Sequence, residues 1–200
     1  MKRAVRASGD GAPTPDDPSG AEDVQLMLRA ARDDMEAFGL LVEKHQKSLL
    51  NFFARCGVER DVEDLAQLTF LKLHRMRRAY RPAAKFTTFL FLIAKQTMLD
   101  RVRSDARKAA LHERAGREAE PAMPPPAARG ERDDARRALS RLSPGLAAAV
   151  ALVVMQGFEY AEAAEILEVP VGTVKSRVHA ALKQMRDYLR EPPPSARPGR

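Results

Sequence analysis

From Tyr160 to Leu182 the apolar positions recur at helical intervals, stop once, and resume. Ala163, Ala164 and Leu167 fall on one side of a first helix, and Glu159, Glu162, Glu165 and Glu168 fall on the other. Val169-Pro170-Val171-Gly172 breaks the period, because proline disfavours a helical residue before it and glycine frees the backbone. Val174, Val178, Ala181 and Leu182 restart the period, with Thr173 as the expected cap and Lys175, Arg177 and Lys183 on the polar face. An acidic helix, a turn too short for a linker and a basic helix predict a helix-turn-helix. A solvated helical hairpin would share the turn. The change of sign is what separates the two, since only the second helix is fit to meet phosphates.

Upstream, the same period predicts further helices. One starts at Asp33 or Asp34, carries Phe38, Leu41, Val42, Leu49, Phe52, Phe53 and Cys56, and stops at Gly57. Another begins near Asp61 with Val62, Leu65, Leu68, Leu71 and Met76. After the loop RAYRPAAKFT a third starts at Thr87, stapled by Phe86 and Phe91. It opens apolar from Phe89 to Ala94. It then turns basic, with Lys95, Arg101, Arg103, Arg107 and Lys108 set against Asp100 and Asp105.

Before the helix-turn-helix, Leu139 and Leu142 end one segment. Ser143-Pro144 reads as a cap and first-turn proline, and Leu146 to Met155 as a buried helix stopped at Gly157. No alternating strand pattern stands out. The expected fold class is all-α, with two small helical domains: an N-terminal three- or four-helix bundle at 22–115 and a C-terminal helix-turn-helix domain at 135–190. The proline-rich stretch 116–134 joins them as a flexible linker. Residues 1–21 and 191–200 read as disordered tails.

The net charge of +7 and the pI near 9.8 favour a nucleic-acid partner over an acidic or neutral one. One cysteine, Cys56, excludes an internal disulfide and fits a reducing cytoplasm. The apolar run from Leu146 to Met155 is about half of a membrane span, and the N-terminus lacks the apolar core of a signal peptide. The expectation is a cytoplasmic protein without membrane insertion.

Its four histidines, His45, His74, His112 and His179, are scattered without metal-ligand spacing. The acidic group Glu59, Asp61, Glu63 and Asp64 lacks calcium-loop spacing and suits a helix start. No phosphate loop or nucleophile elbow is present. No enzyme activity, metal, cofactor or small-molecule substrate is expected.

Tyr80, Phe86, Phe89 and Phe91 lie beside Arg77, Arg78, Arg81 and Lys85. Aromatics interleaved with cations can stack on unpaired bases, at roughly 1–3 kcal/mol per base. Two of the three phenylalanines are expected to fill the bundle core instead.

Taken together, these pieces resemble a bacterial RNA polymerase sigma factor of the extracytoplasmic-function (ECF) group. DVEDLAQLTFLKLHRM (61–76) is similar to that family's polymerase-binding helix. FTTFLFLIAKQTMLDRVRSDARK (86–108) is similar to its melting and −10-reading segment, and ALSRLSPGLAAAVALVVMQGFEYAEAAEILEVPVGTVKSRVHAALKQM (138–185) to its −35-reading domain. The resemblance implies core RNA polymerase as partner, through the β′ clamp helices and the β flap, together with promoter DNA and an anti-sigma factor.

It assigns Asp61, Asp64, Gln67 and Phe70 to the polymerase-docking surface or its support. Arg78, Tyr80, Lys85, Phe86, Thr88, Phe89, Gln96, Arg101 and Arg103 go to −10 capture. Thr173, Lys175, Ser176, Arg177, His179 and Lys183 go to −35 bases and phosphates. The chain departs from the family at several positions: Leu68 stands where glutamate is common, Phe89 where tryptophan is common, Gln96 where asparagine is usual, and Ala180 and Leu182 where many members carry arginine.

The implied function is to bind core polymerase and direct promoter-specific initiation, the polymerase supplying the chemistry. The alternative is a stand-alone helix-turn-helix regulator whose N-terminal bundle senses or dimerises.

Overall fold

In the computed structural model, the described residues are 18–56, 58, 61–114 and 131–190. Among them are helices α1 (Pro18–Ala30), α2 (Met35–Arg55), α3 (Val62–Met76), α4 (Phe86–Arg114), α5 (Glu131–Ser140), α6 (Pro144–Val150), α7 (Tyr160–Leu167) and α8 (Val171–Arg190), and no strand. The all-α expectation holds. The expected linker and both tails fall almost wholly outside the described residues, as does the stop at Gly57.

Helix α2 begins where expected. The Asp34 carboxylate accepts the Ala37 N–H at 3.0 Å, satisfying a first-turn donor that has no partner within the helix. Ala37, Leu41, His45, Leu49, Phe52 and Phe53 then bury one stripe at three- and four-residue steps. Helix α3 buries Leu65, Ala66, Thr69, Phe70 and Leu73 against α2 and α4. Its N-cap, Asp61, is left-handed and makes no side-chain cap bond.

Helix α1 was not anticipated from the sequence. Val24, Leu26, Met27 and Ala30 give it an apolar stripe, but the segment directly follows the Gly/Pro-rich run assigned to the tail. It is anchored on α2 by a polar cluster around buried Asp23 and His45. Asp23 accepts from His45 Nε2 at 2.9 Å and pairs with Lys44 at 2.6 Å, while Lys44 also reaches Glu22 at 2.8 Å.

Helix α4 is the pivot of the fold. Phe86, Leu90, Phe91, Ile93, Ala94, Lys95, Thr97 and Met98 are all buried. Burial so continuous exceeds the single stripe of a surface helix, so this half of α4 is covered from more than one side. The bundle covers one side and α7 covers another. Beyond Met98 the helix is mostly exposed as far as its side chains are described. The expected apolar-to-basic switch at Lys95 therefore comes before coverage ends, since Lys95, Thr97 and Met98 are still buried. The rings of the expected staple do not pair: Phe86 meets His45 and Tyr80, and Phe91 meets Phe52 and Phe158.

In the C-terminal block, Ser143 is extended and Pro144 opens α6, as expected from a proline that needs no N–H donor in the first turn. The helix widens into a π turn over Ala151–Met155. Gly157, at φ +76°, then lets Phe158 donate back to Leu152 O at 3.1 Å. Helix α7 runs from Tyr160 to Leu167 as read from the sequence. The start of α8 differs. It begins at Val171, with the Pro170 carbonyl accepting from Thr173 and Val174, so Thr173 is a first-turn residue rather than the cap.

The two helical blocks share one apolar core. Phe91, from the first block, packs edge-on against Phe52 at 5.3 Å and against Phe158 of the second at 5.1 Å. The Gln156 side chain donates to the Ser48 carbonyl at 3.2 Å, and Arg55 to the Met155 sulfur at 3.0 Å.

Candidate nucleic-acid interface

An exposed basic face lies on α8. Val174, Val178 and Ala181 turn inward, which leaves Lys175, Ser176, His179 and Lys183 exposed along the opposite side. Lys175, His179 and Lys183 follow one another at four-residue steps, so their side chains form one row. Ser176 donates back to the Thr173 carbonyl at 3.0 Å. Thr173 and Arg177 are half-buried at the edge of the row. The Arg177 guanidinium lies beside α6, where a β-carbon on Gly145 would come within 3.6 Å of its Cζ. Lys175 Nζ sits 5.8 Å from the centre of the Tyr160 ring at the start of α7. The row carries hydrogen-bond donors and positive charge in one plane, the chemistry that phosphate and guanine edges accept.

The second group of residues, around the start of α4, is less open. Tyr80 is only 4% exposed, and Phe86 and Thr88 are buried. Tyr80 packs on Phe86 and Phe89, and its hydroxyl has no hydrogen-bond partner among the described residues. Burial, with Asp23 nearby, pushes the Tyr80 phenol up to about 12. In this arrangement Tyr80 and Phe86 are core rings, not stacking platforms. Of the expected aromatic set, only half-buried Phe89 keeps an edge toward solvent.

The cations around them are engaged. Arg77 and Arg78 hold Asp33 at 2.5 and 2.6 Å, hydrogen bonds that keep its carboxyl below the usual range. Lys85 pairs with Glu162 at 3.0 Å, and Arg101 pairs with Asp61 and Asp105. Arg103 is exposed, with Asp100 at 4.0 Å, and Gln96 is half-buried.

The third group faces outward on α3. Asp61, Asp64 and Gln67 are exposed, and so are Leu68 and Leu71, each 43% accessible. Phe70 is buried beneath them and supports the face rather than presenting itself. An acidic rim beside exposed leucines is the composition of a protein-docking surface. Arg101 links this face to α4 through Asp61, joining two groups that the sequence placed separately.

Sequence reasoning also missed a pattern in the turns. The non-glycine residues with positive φ among those described are Asp33, Asp61 and Glu168, all acidic. Each gives its carboxylate to a cation on another element: Arg77 and Arg78, Arg101, and Lys95 respectively. The one legible signal was an acid standing where a turn would favour glycine or asparagine.

No group of three or more metal-ligating side chains occurs among the described residues. Burial pushes the Cys56 thiol up to about 12, so it stays protonated and inert. No described helix is long and apolar enough to cross a membrane.

Comparison with known proteins gives these groups a frame. Residues 41–108 match the family description "Sigma-70 region 2", and residues 132–185 match "Sigma-70, region 4". The ECF RNA polymerase sigma-E factor of Escherichia coli K12 is 30% identical over 171 residues, covering 80% of this chain and 90% of that protein. The ECF sigma factor SigE of Mycolicibacterium smegmatis is 35% identical over 163 residues; the match takes in 78% of this chain but only 62% of that longer relative. Among solved structures, CnrH in complex with the cytosolic domain of CnrY superposes with a TM-score of 0.63 at 26% identity, over 84% of this chain and 97% of that one. The Bartonella quintana sigma factor RpoE, crystallised with the anti-sigma factor NepR, shares the fold at a TM-score of 0.62 and 24% identity, over 79% and 97% of the two chains.

Proposed function

Because the chain belongs to the ECF RNA polymerase sigma factors, we propose that its exposed faces divide promoter recognition between them. As a sigma factor it binds core RNA polymerase and directs promoter-specific initiation. In the proposed division, α3 docks on the polymerase through Asp61, Asp64, Gln67, Leu68 and Leu71, with Phe70 packed below. Helix α8 enters the −35 major groove with Lys175, Ser176, His179 and Lys183, while Arg177 and Thr173 meet the backbone at its edge.

The loop before α4 and the helix itself take the −10 strand through Arg78, Lys85, Phe89, Gln96, Arg101 and Arg103. Binding unpaired bases there offsets part of the cost of opening the duplex. Tyr80, Phe86 and Thr88 hold that surface in shape from inside. The protein performs no chemistry of its own and acts in the cytoplasm. An anti-sigma factor controls it, as one binds the RpoE neighbour.

The observation that carries this reading is the outward basic row on α8, on the helix-turn-helix that ends the region 4 match. The region 2 match occupies the bundle that a stand-alone regulator would use as a sensor. The test is reconstituted run-off transcription with core polymerase on candidate promoters. The reading requires specific transcripts that depend on added protein. A chain that binds duplex DNA by itself but never directs polymerase would overturn it.

A further inference from the structure

Two carboxylates, Glu162 in α7 and Glu168 at its C-cap, lie on two lysines, Lys85 just before α4 and Lys95 within it. Lys95 is 8% exposed, and its Nζ meets Glu168 Oε2 at 2.5 Å. Nearer the start of α7, Glu162 holds Lys85 at 3.0 Å. Both contacts join the −35 helix-turn-helix to the −10 segment, beside the Phe91–Phe158 ring pair.

Glu168 is placed at a cost to local structure, and Glu162 is held in place by it. Glu168 sits in the left-handed region, φ 54°, at the sharp turn of the motif, where glycine would fit without strain. Glu162 is fixed twice: one oxygen accepts the Glu159 N–H at 2.9 Å in a capping box, and the other faces Lys85. A nearly buried lysine with one carboxylate partner is also a conditional arrangement. Without that carboxylate, the closed form would hold an uncompensated charge out of water.

We propose that α7 serves as an internal substitute for promoter phosphate: Glu162 and Glu168 occupy Lys85 and Lys95 and hold the free protein closed, and the −10 strand competes for the same two lysines. This rests on the sigma-factor reading of α4 and adds Lys95 to its DNA-contacting residues. Opening exchanges two carboxylate partners for two phosphates, so the charges of Lys85 and Lys95 are matched in both states. The closed form is thereby kept from binding stray single strands, and engagement requires α7 to leave.

The test compares the wild-type full chain with the double variant Glu162→Gln, Glu168→Gly. Glutamine preserves the capping-box acceptor and glycine relieves the left-handed turn, so both helices of the motif persist; circular dichroism checks this. Small-angle scattering should give a larger radius of gyration for the variant at low salt. Without polymerase, a fluorescent non-template −10 oligonucleotide should bind the variant about tenfold more tightly than wild type. Adding Lys95→Gln to the double variant should reverse most of that gain. An unchanged radius would overturn the latch, and an open variant with unaltered strand affinity would overturn the competition. Run-off transcription by the wild type is scored separately: its absence refutes the sigma reading, while scattering still decides the closure.

Discussion

The ring of Phe91 stands edge-on to the ring of Phe158, with centroids 5.1 Å apart and planes at 69°. Phe91 also meets Phe52 at 5.3 Å, so a single side chain ties α2, α4 and the segment before α7 into one core. Edge-to-face pairs of this kind add about 0.5–1.5 kcal/mol to the burial of the rings themselves. Truncating Phe158 to alanine should therefore cost about 3 kcal/mol of unfolding free energy, the low end for a buried phenylalanine. Urea unfolding checks it. A loss below about 1 kcal/mol would mean the two blocks do not depend on this contact.

Tyr80 offers a sharper distinction between a core role and a base-stacking role. Its hydroxyl is buried without a partner among the described residues, so Tyr80→Phe removes a polar group that has lost its water without gaining a bond there. The variant should be as stable as wild type or more stable by about 1 kcal/mol, with transcription unchanged. Tyr80→Ala should lose stability before any promoter effect can be read, because Phe86 and Phe89 lean on that ring.

The Asp23 cluster sets an acid limit on the fold. Burial raises the Asp23 carboxyl, but hydrogen bonds from His45 and Lys44 together outweigh it and leave the group below the ordinary aspartate value of 3.8. A carboxyl lowered on folding stabilises fully above its unfolded value. That contribution disappears as pH falls through the folded value, so the window lies below pH 3.8. Urea midpoints between pH 2 and 7 should fall more steeply at the acid end for wild type than for Asp23→Asn. The variant should already be weaker at neutral pH, since its neighbours Lys44 and His45 lose the charge they face.

On α3, Leu71 is exposed and lies on the proposed polymerase face. Leu71→Glu should leave unfolding within about 0.5 kcal/mol of wild type, as exposed positions usually do. Affinity for core polymerase should nonetheless fall tenfold or more, readable by fluorescence anisotropy. Unaltered affinity would move the docking surface elsewhere.

Lys175 and Lys183 separate positioning from reading on α8. If each neutralises one phosphate, alanine at either position should flatten the slope of log affinity against log salt by about 0.9, across all sequences alike. A base-reading residue would instead cost affinity on the cognate −35 duplex alone. Titrations of cognate and scrambled duplexes at several salt concentrations tell these apart.

The amino-acid sequence by itself determined the helices and their faces. Periodicity placed α7 to the residue, capping put the start of α2 at Asp33 or Asp34, and the sign change singled out α8. These are local properties, set by neighbours within a turn or two. Helix α1 escaped because its apolar stripe directly follows a Gly/Pro-rich run, and its anchor, Asp23 to His45, spans 22 residues of chain.

The identity of the rings was legible, but their exposure was not. Tyr80 and Phe86 look the same in sequence whether they face solvent or core, and only the packing of α1, α2 and α4 around them decides it. The pairing of charges was decided in the same way. Lys95 and Glu168 lie 73 residues apart, and no spacing rule joins them. Their contact exists because α4 is covered on its second side by α7, which turns a basic surface and an acidic helix into two halves of one interface.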